Sequence, residues 1–509
     1  MPTIVHANFR HLLEDLDFPA FAGAFTELDA DKLAWVEQYW TNDAQTITRR
    51  SALLWALHDD RAAEDELDTC IKAARKIREV SEYLYYKTER MRMALARQVM
   101  AENYITSCEA LESLLARHQE PELTPLRKKL SAQLETLERV RTYRKAADEV
   151  NLHLTHMDFG VNVTESGEAK VLLPQLPGEE NYPGPIAGDR DDIVPAIRFP
   201  KTGSGQSLEQ FLHKVMKIEL EPKWKKLEKA LSRLPVEVIL AWAQEAEELV
   251  FLWGGLRMAR MLAERGCPVC KPTISDNAFA ADRLYYPHLA LAALKSVSPY
   301  SFTIAKDKPV LITGANHAGK TSFLKAVGQS CILAQMGFLI PAKSFVFVPA
   351  AQMFALFSGG EDTLSEGERN SRFQMDARFL REMLAQAEES AKSGAFVMTM
   401  FNEPFTGTNP AEAVELLRDL ILRLQKNGIL TITVTHLYDV YELLDEPPTS
   451  FAARYEAEND LHIVEKRPPD GTGMTRGIAE AFGVTLPQLL GEHENADAVQ
   501  AFLERRQGA

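Results

Sequence analysis

The stretch PVLITGANHAGKTSFLKAVG, residues 309–328, decides the fold. Gly314, Gly319, Lys320 and Thr321 satisfy the phosphate-loop spacing G-x-x-x-x-G-K-[ST]. The apolar run 310–312 leads in as a buried strand, and a helical pattern leads out until Pro341 forbids it. In that context the backbone N–H groups of Gly314, Ala315, Asn316, His317, Ala318, Gly319 and Ser322 converge on phosphate oxygens, and the helix dipole favours the anion. Lys320 is expected to pair with the β- and γ-phosphates, and the Thr321 hydroxyl to ligate Mg²⁺. The segment implies a nucleoside triphosphate site.

Working outward, the 509 residues suggest about two to four domains. Residues 1–150 read as helix almost throughout, with Gly23 the only glycine before Gly160. Residues 157–173 alternate apolar and polar around Glu165, Ser166 and Gly167, which reads as a hairpin. A Pro/Gly-rich stretch, 174–207, reads as an exposed loop. Helical patterning resumes near Leu208, and from about residue 276 strands and helices alternate as in a parallel α/β sheet. The expected domains are 1–150 (first helical part), 151–206 (hairpin and loop), 207–275 (second helical part) and 276–509 (nucleotide-binding α/β domain with a helical C-terminal segment).

Composition narrows the setting. Five scattered cysteines fit reduced thiols in a cytoplasmic protein. No run approaches the roughly 20 apolar residues that span a bilayer, so a soluble protein with no membrane partner is expected. The net charge of −15 argues against indiscriminate polyanion binding but leaves room for a local basic surface. Two helical stretches are basic: 72–97, including Arg90, Arg92 and Arg97, and 127–145, including Arg127, Lys129 and Arg141. Read alone, each is a solvated helix face or a phosphate-contacting one.

Four further segments bear on chemistry. DTLSEGERNSRFQMD, residues 362–376, combines a polar turn with the start of a helix, so Ser365 or Ser371 would present a hydroxyl to phosphate. AFVMTMFNEPFTGTN, residues 395–409, is an apolar strand ending in Asn402 and Glu403, where an Asp-Glu pair would hold Mg²⁺ and polarise water. A buried strand-end carboxylate is costly without a role. A second apolar strand, 429–435, ends in His436, placed to sense the γ-phosphate or hold the water. The lone CxxC, Cys267 and Cys270, lacks the four ligands of a zinc site and reads as two reduced cysteines.

Together these segments resemble the MutS family of DNA mismatch-repair ATPases. The resemblance runs through TGANHAGKTS (313–322), MGFLIPA (336–342), NSRF (370–373), NEPFTGT (402–408) and TVTH (433–436). Only about fifty residues separate Thr321 from Ser371, as in that family; transporter-type ABC and SMC ATPases insert more. Looser likeness covers residues 46–115, 252–272, YYPH (285–288) and GMTRGIAEAFG (473–483).

The resemblance implies an ABC-like P-loop ATPase domain preceded by a large all-α core, or lever. It implies ATP and Mg²⁺ as cofactors and a homodimer in which Ser371 of one subunit completes the other's ATP site. Lys320, Glu403 and His436 are the expected catalytic residues, and Thr321, Asn402 and Glu403 the metal ligands. Arg90, Arg92 and Arg97 become candidate DNA phosphate contacts. Three departures shape the expectation: there is no room for mismatch-reading domains ahead of the core, Asn402 replaces the metal-side Asp, and Thr406 replaces an arginine near Gly407. A nucleotide-switched clamp on branched or recombining DNA, with slow hydrolysis, is therefore expected. An ABC-type ATPase acting on RNA or ribosomes and a scaffold with little hydrolysis remain open.

Overall fold

The structure is a computed structural model. It describes residues 8–25, 32–85, 90–148, 158–163, 169–175, 221–292, 297–357, 366–405, 408–456, 459 and 461–469. The loop 176–207, the turn 165–167 and the segment 473–483 lie outside the described residues. The chain divides into two compact units, one of Met1–Asp59 with Gly254–Ala509, the other Asp60–Trp253.

The first unit opens with four helices, α1 (Phe9–Asp15), α2 (Phe18–Phe25), α3 (Lys32–Tyr39) and α4 (Ala44–Leu57). Asp43 starts α4 by accepting the Thr46 N–H at 2.8 Å, the expected cap chemistry.

The second unit is built on α5 (Arg61–Ser81), α6 (Arg90–Arg117), α7 (Thr124–Ser131) and α8 (Leu134–Asp148). An antiparallel hairpin follows, β1 (Asp158–Val163) with β2 (Ala169–Gln175), then α9 (Glu221–Leu231) and α10 (Val236–Ala246). Leu67, Cys70, Ile71, Ala74 and Ile77 recur at helical spacing along α5 and are buried. At the centre, Ser107 Oγ accepts the Trp242 indole N–H at 2.8 Å and lies 3.1 Å from Cys70 Sγ. These bonds satisfy polar groups that burial would otherwise penalise.

The first unit resumes at Gly254, within α11 (Leu249–Glu264), and continues with β3 (Pro272–Ile274), β4 (Ala278–Leu284), α12 (Pro287–Ala292), β5 (Tyr300–Ala305) and β6 (Val310–Gly314). It continues through α13 (Lys320–Met336), β7 (Ser344–Phe347), β8 (Gln352–Phe357), α14 (Glu366–Lys392) and β9 (Val397–Asn402). The last described elements are α15 (Pro410–Lys426), β10 (Leu430–Val434), β11 (Thr449–Glu456) and β12 (Leu461–Lys466).

A six-stranded sheet runs β12-β11-β6-β10-β9-β8, parallel throughout except for the edge pair β11–β12. Its inner strands are buried on both faces, mostly apolar with threonines such as Thr399 and Thr431 hydrogen-bonded to each other, because helices cover both. Leu311, Phe354 and Phe401 pack against α14 and α15 through Leu380, Met383, Leu417 and Ile421. On the opposite face α13 is buried along nearly its whole length. The structure adds to the sequence expectation a second sheet, β3-β7-β4-β5, mostly antiparallel. From it Tyr300 and Phe302 pack on Phe323 of α13 at 5.2 and 5.3 Å.

The α13 helix stops before the proline that sequence alone marks as its limit. Gly337 takes φ 87° as a left-handed cap, and a Cβ there would sit 2.5 Å from Arg50 Cβ. Arg50 Nη1 donates to the freed Met336 carbonyl at 3.3 Å. Among the described residues no helix is long and apolar enough to cross a membrane.

Candidate nucleotide site

Strand β6 delivers Gly314 to the C-terminal edge of the sheet, where the chain must turn sharply into α13. Gly314 sits at φ 131°, and a Cβ there would lie 2.1 Å from the Ala453 carbonyl of β11, so only glycine fits. His317 at φ 60° and Gly319 at φ 96° complete the turn. The loop therefore wraps the N-terminus of a 17-residue helix, whose first N–H groups have no helical partner.

Lys320 folds back across this loop. Its ammonium donates to the carbonyls of Gly314 and Ala315, both at 2.9 Å. Burial pushes its pKa down, and Glu403 opposes that shift. A desolvated ammonium gains strongly from a phosphate.

Strand β9 brings the second group. Thr321 Oγ1 donates to Asn402 Oδ1 at 2.9 Å. Glu403 follows at φ 55°, its N–H bonded to the Val434 carbonyl at 2.9 Å. His436, just beyond β10, sets Nε2 at 2.9 Å from Glu403 Oε1 and 3.3 Å from Lys320 Nζ. One nitrogen cannot donate to the carboxylate and accept from the ammonium at once. The shorter contact and the charge arrangement assign Nε2–H to Glu403. That hydrogen bond is the main reason the Glu403 carboxyl is held below the usual carboxylate range.

These groups share one cavity of about 860 Å³, lined by Asn316, His317, Lys320, Thr321, Glu403 and His436 among others. The volume suits a nucleotide-sized ligand. Three non-glycine residues on its wall, His317, Glu403 and Phe405, hold positive φ. Such strain concentrates at functional sites. The Thr321 hydroxyl, the Asn402 amide oxygen and the Glu403 carboxylate are hard oxygen donors, which fits Mg²⁺.

Several sequence candidates fall outside the described side chains or elsewhere in the fold. Ser371 lies in the first turns of α14, but its side chain is outside the described residues, as are Ser365, Thr406 and Gly407. The side chains of Arg90 and Arg92 are likewise outside them, while Arg97 is half-buried on α6. Much of the basic character around them is consumed by acids of the same unit. Lys76 meets Glu79 at 2.9 Å, Lys129 meets Glu248 at 2.8 Å, Arg141 meets Glu109 at 2.8 Å, and Arg75 and Arg78 share Glu247. Cys267 and Cys270 are free and buried, and burial pushes the Cys270 thiol up to about 12.

His462 of β12 also lines the cavity. Its ring lies 3.3 Å from where a Gly319 Cβ would sit, and its Nδ1 is buried without a hydrogen-bond partner among the described residues. Phe405, Thr408 and Leu437 complete the wall near Glu403. No local motif marks His462, because register across the edge hairpin, not spacing from the loop, brings it there.

Residues 310–488 match the family model of MutS domain V, the family's P-loop ATPase domain. The chain is 28% identical over 277 residues to the Endonuclease MutS2 of Thermomicrobium roseum, covering 50% of this chain and 33% of that protein. It is 24% identical over 230 residues to the DNA mismatch repair protein MutS of Haloquadratum walsbyi, covering 43% of this chain and 23% of that one. An Endonuclease MutS2 of Clostridium botulinum aligns at 24% over 296 residues, 55% of this chain and 35% of that protein. The matches thus span well under half the length of these curated relatives. Over these residues the chain is similar to proteins of the MutS family, as its motifs indicated.

Proposed function

We propose that this chain is an ATP-binding, Mg²⁺-dependent ATPase of MutS type that works as a nucleotide-switched homodimer on DNA, in repair or recombination. One observation carries the reading: Lys320 and Thr321 from the phosphate loop, Glu403 from the end of β9 and His436 after β10 line a single cavity, and Asn402 accepts the hydroxyl of Thr321 beside it. The loop N–H groups and Lys320 hold the phosphates. Thr321, Asn402 and Glu403 would hold Mg²⁺, which would supply positive charge against the phosphates. Glu403, oriented by the N–H of His436, takes the proton of the attacking water.

In this reading the first unit supplies an ABC-like ATPase domain and the second, built on α5–α10, acts as the lever. Ser371 of one subunit completes the ATP site of the other. Branched or recombining DNA is the proposed substrate and the cytoplasm the proposed setting. The printed name of one relative, DNA mismatch repair protein MutS, supports DNA over RNA. Asn402 favours a second reading, a nucleotide-binding scaffold with little turnover, because its amide brings no charge to the metal.

Steady-state ATPase measured alone and with branched duplex, single-stranded DNA and RNA separates these readings. Stimulation by branched duplex supports the proposal. Stimulation by RNA alone overturns the DNA assignment, and ATP binding without turnover under any condition selects the scaffold. Sedimentation with a non-hydrolysable analogue tests the switch: a monomer with and without it removes the cross-subunit mechanism.

A further inference from the structure

The P-loop helix is tied along its length to the N-terminal residues of the chain. Leu16 is fully buried, and its side chain lies 2.8 Å from where a Gly328 Cβ would be, so glycine there permits the approach. The Leu16 carbonyl accepts from Nε2 of Gln329 at 2.6 Å, and Gln329 Oε1 accepts the His288 N–H at 3.1 Å. Asp17, at φ 55°, accepts from Lys325 Nζ at 2.6 Å and from the Tyr286 hydroxyl at 3.1 Å.

The same short segment holds the other side of the domain. The Asp15 carboxylate accepts the backbone N–H of Phe357 at 3.0 Å, at the last residue of β8 before the chain leads to α14. The Lys325 ammonium sits 5.3 Å over the Phe357 ring. One turn earlier, His11 packs on Phe379 of α14 with centroids 4.8 Å apart. The apolar face of α1, Phe9, Leu12 and Leu13, is buried, which fixes the helix in place.

We propose that residues 9–17 form a positioning strap, with Asp15 and Asp17 as its anchors, that sets α14 against the P-loop helix. This rests on the nucleotide-switch reading above, since α13 begins with Lys320 and Thr321 and α14 carries Ser371. The strap then relates the cis half of one site to the residue that α14 offers to the partner's site. The exposed part of the Asp17–Lys325 pair contributes little by itself. The buried bond to Gln329 and the Asp15 bond to Phe357 are the contacts whose loss strands a polar group.

The test uses the full chain with Asp15→Ala and Asp15→Asn, reading affinity for a non-hydrolysable ATP analogue and kcat. Asp15→Ala is expected to leave the analogue Kd within about twofold while kcat falls about tenfold. Asp15→Asn keeps an oxygen that accepts the Phe357 N–H and retains most of kcat. A wild-type kcat in Asp15→Ala, or a parallel loss of Kd and kcat, overturns the strap. Hydrogen exchange on the unaltered chain is independent of whether the variants fold: the analogue should slow exchange across residues 9–17. Demonstrated binding with no change there also overturns it. Analogue binding that survives Lys320→Ala instead sinks the nucleotide-site reading, whatever Asp15 does.

Discussion

The Thr321 hydroxyl donates to Oδ1 of Asn402 over 2.9 Å, joining the first turn of the P-loop helix to the end of β9. The bond puts an amide oxygen where a metal-side carboxylate would bring a negative charge. Hard divalent cations are held by charge as well as by oxygen geometry. Asn402→Asp should therefore lower the Mg²⁺ concentration for half-maximal ATPase by about tenfold or more. An unchanged Mg²⁺ dependence would show that residue 402 stands outside the metal shell.

Lys320 is the group on which nucleotide binding should turn. Its ammonium is buried and already sheds part of its preference for the charged form, so a phosphate partner is worth more to it than in water. Lys320→Ala should weaken ATP binding by about a hundredfold, the scale of a lost charge-assisted contact. Calorimetry at matched Mg²⁺ checks it, and near-wild-type affinity would place the nucleotide elsewhere.

Glu403 and His436 should separate chemistry from binding. Glu403→Gln should cut kcat by about a hundredfold or more while ATP still binds and the dimer persists. Glu403 has its pKa depressed chiefly by His436, so the pair's stabilisation is present above the usual carboxylate value of 4.5 and is lost as pH falls through the lower folded value. His436→Ala should move the acidic limb of kcat/KM upward in pH. A limb that stays put would mean that Glu403 is not the base being titrated.

The clustering of the candidate site residues was legible in sequence because its signals are local. The glycine spacing around Lys320 and the polar ends of two apolar strands, Asn402-Glu403 and His436, mark positions that backbone geometry then brings together. The central parallel sheet could be anticipated for the same reason: its strands are short apolar runs covered on both faces. What escaped was set by register and docking. His462 reaches the cavity through the β11–β12 pairing. The N-terminal helices reach α13 through buried glutamines, Gln329 to the Leu16 carbonyl and Gln335 to the Thr41 carbonyl at 3.0 Å. Neither contact leaves a periodic signal. The second sheet was missed because β4, β5 and β7 read as members of one alternating series.

DNA affinity, if it depends on the helical unit, should fall when the candidate phosphate contacts on α6 are removed. Replacing Arg90, Arg92 and Arg97 together by Ala should weaken binding by about equal factors across sequences and flatten the salt slope by up to about three. Arg141→Ala, which breaks the contacts to Glu109 and Glu138, should change DNA affinity far less. Fluorescence anisotropy over a salt series distinguishes them. Loss confined to mismatched duplex would point to a base-reading element instead.

Asp15 makes stability depend on pH in the opposite sense to Glu403. Burial lifts its pKa from 3.8 to about 6, against the pull of His11, Lys325 and the Phe357 N–H, with Glu14 adding to the rise. In the unfolded chain it would titrate near 3.8, so in the window up to about 6 the folded chain keeps a proton that the unfolded chain has released. Its contribution is thus complete below the lower value and lost as pH rises through the upper one. At neutral pH the ionised carboxylate is a net cost that Asn at the same position does not carry. Asp15→Asn should raise Tm at about pH 7.5 by a few degrees and gain roughly half as much at about pH 5. Thermal unfolding of both chains at the two pH values decides the matter: an equal shift at both would mean that the Asp15 proton is not linked to folding.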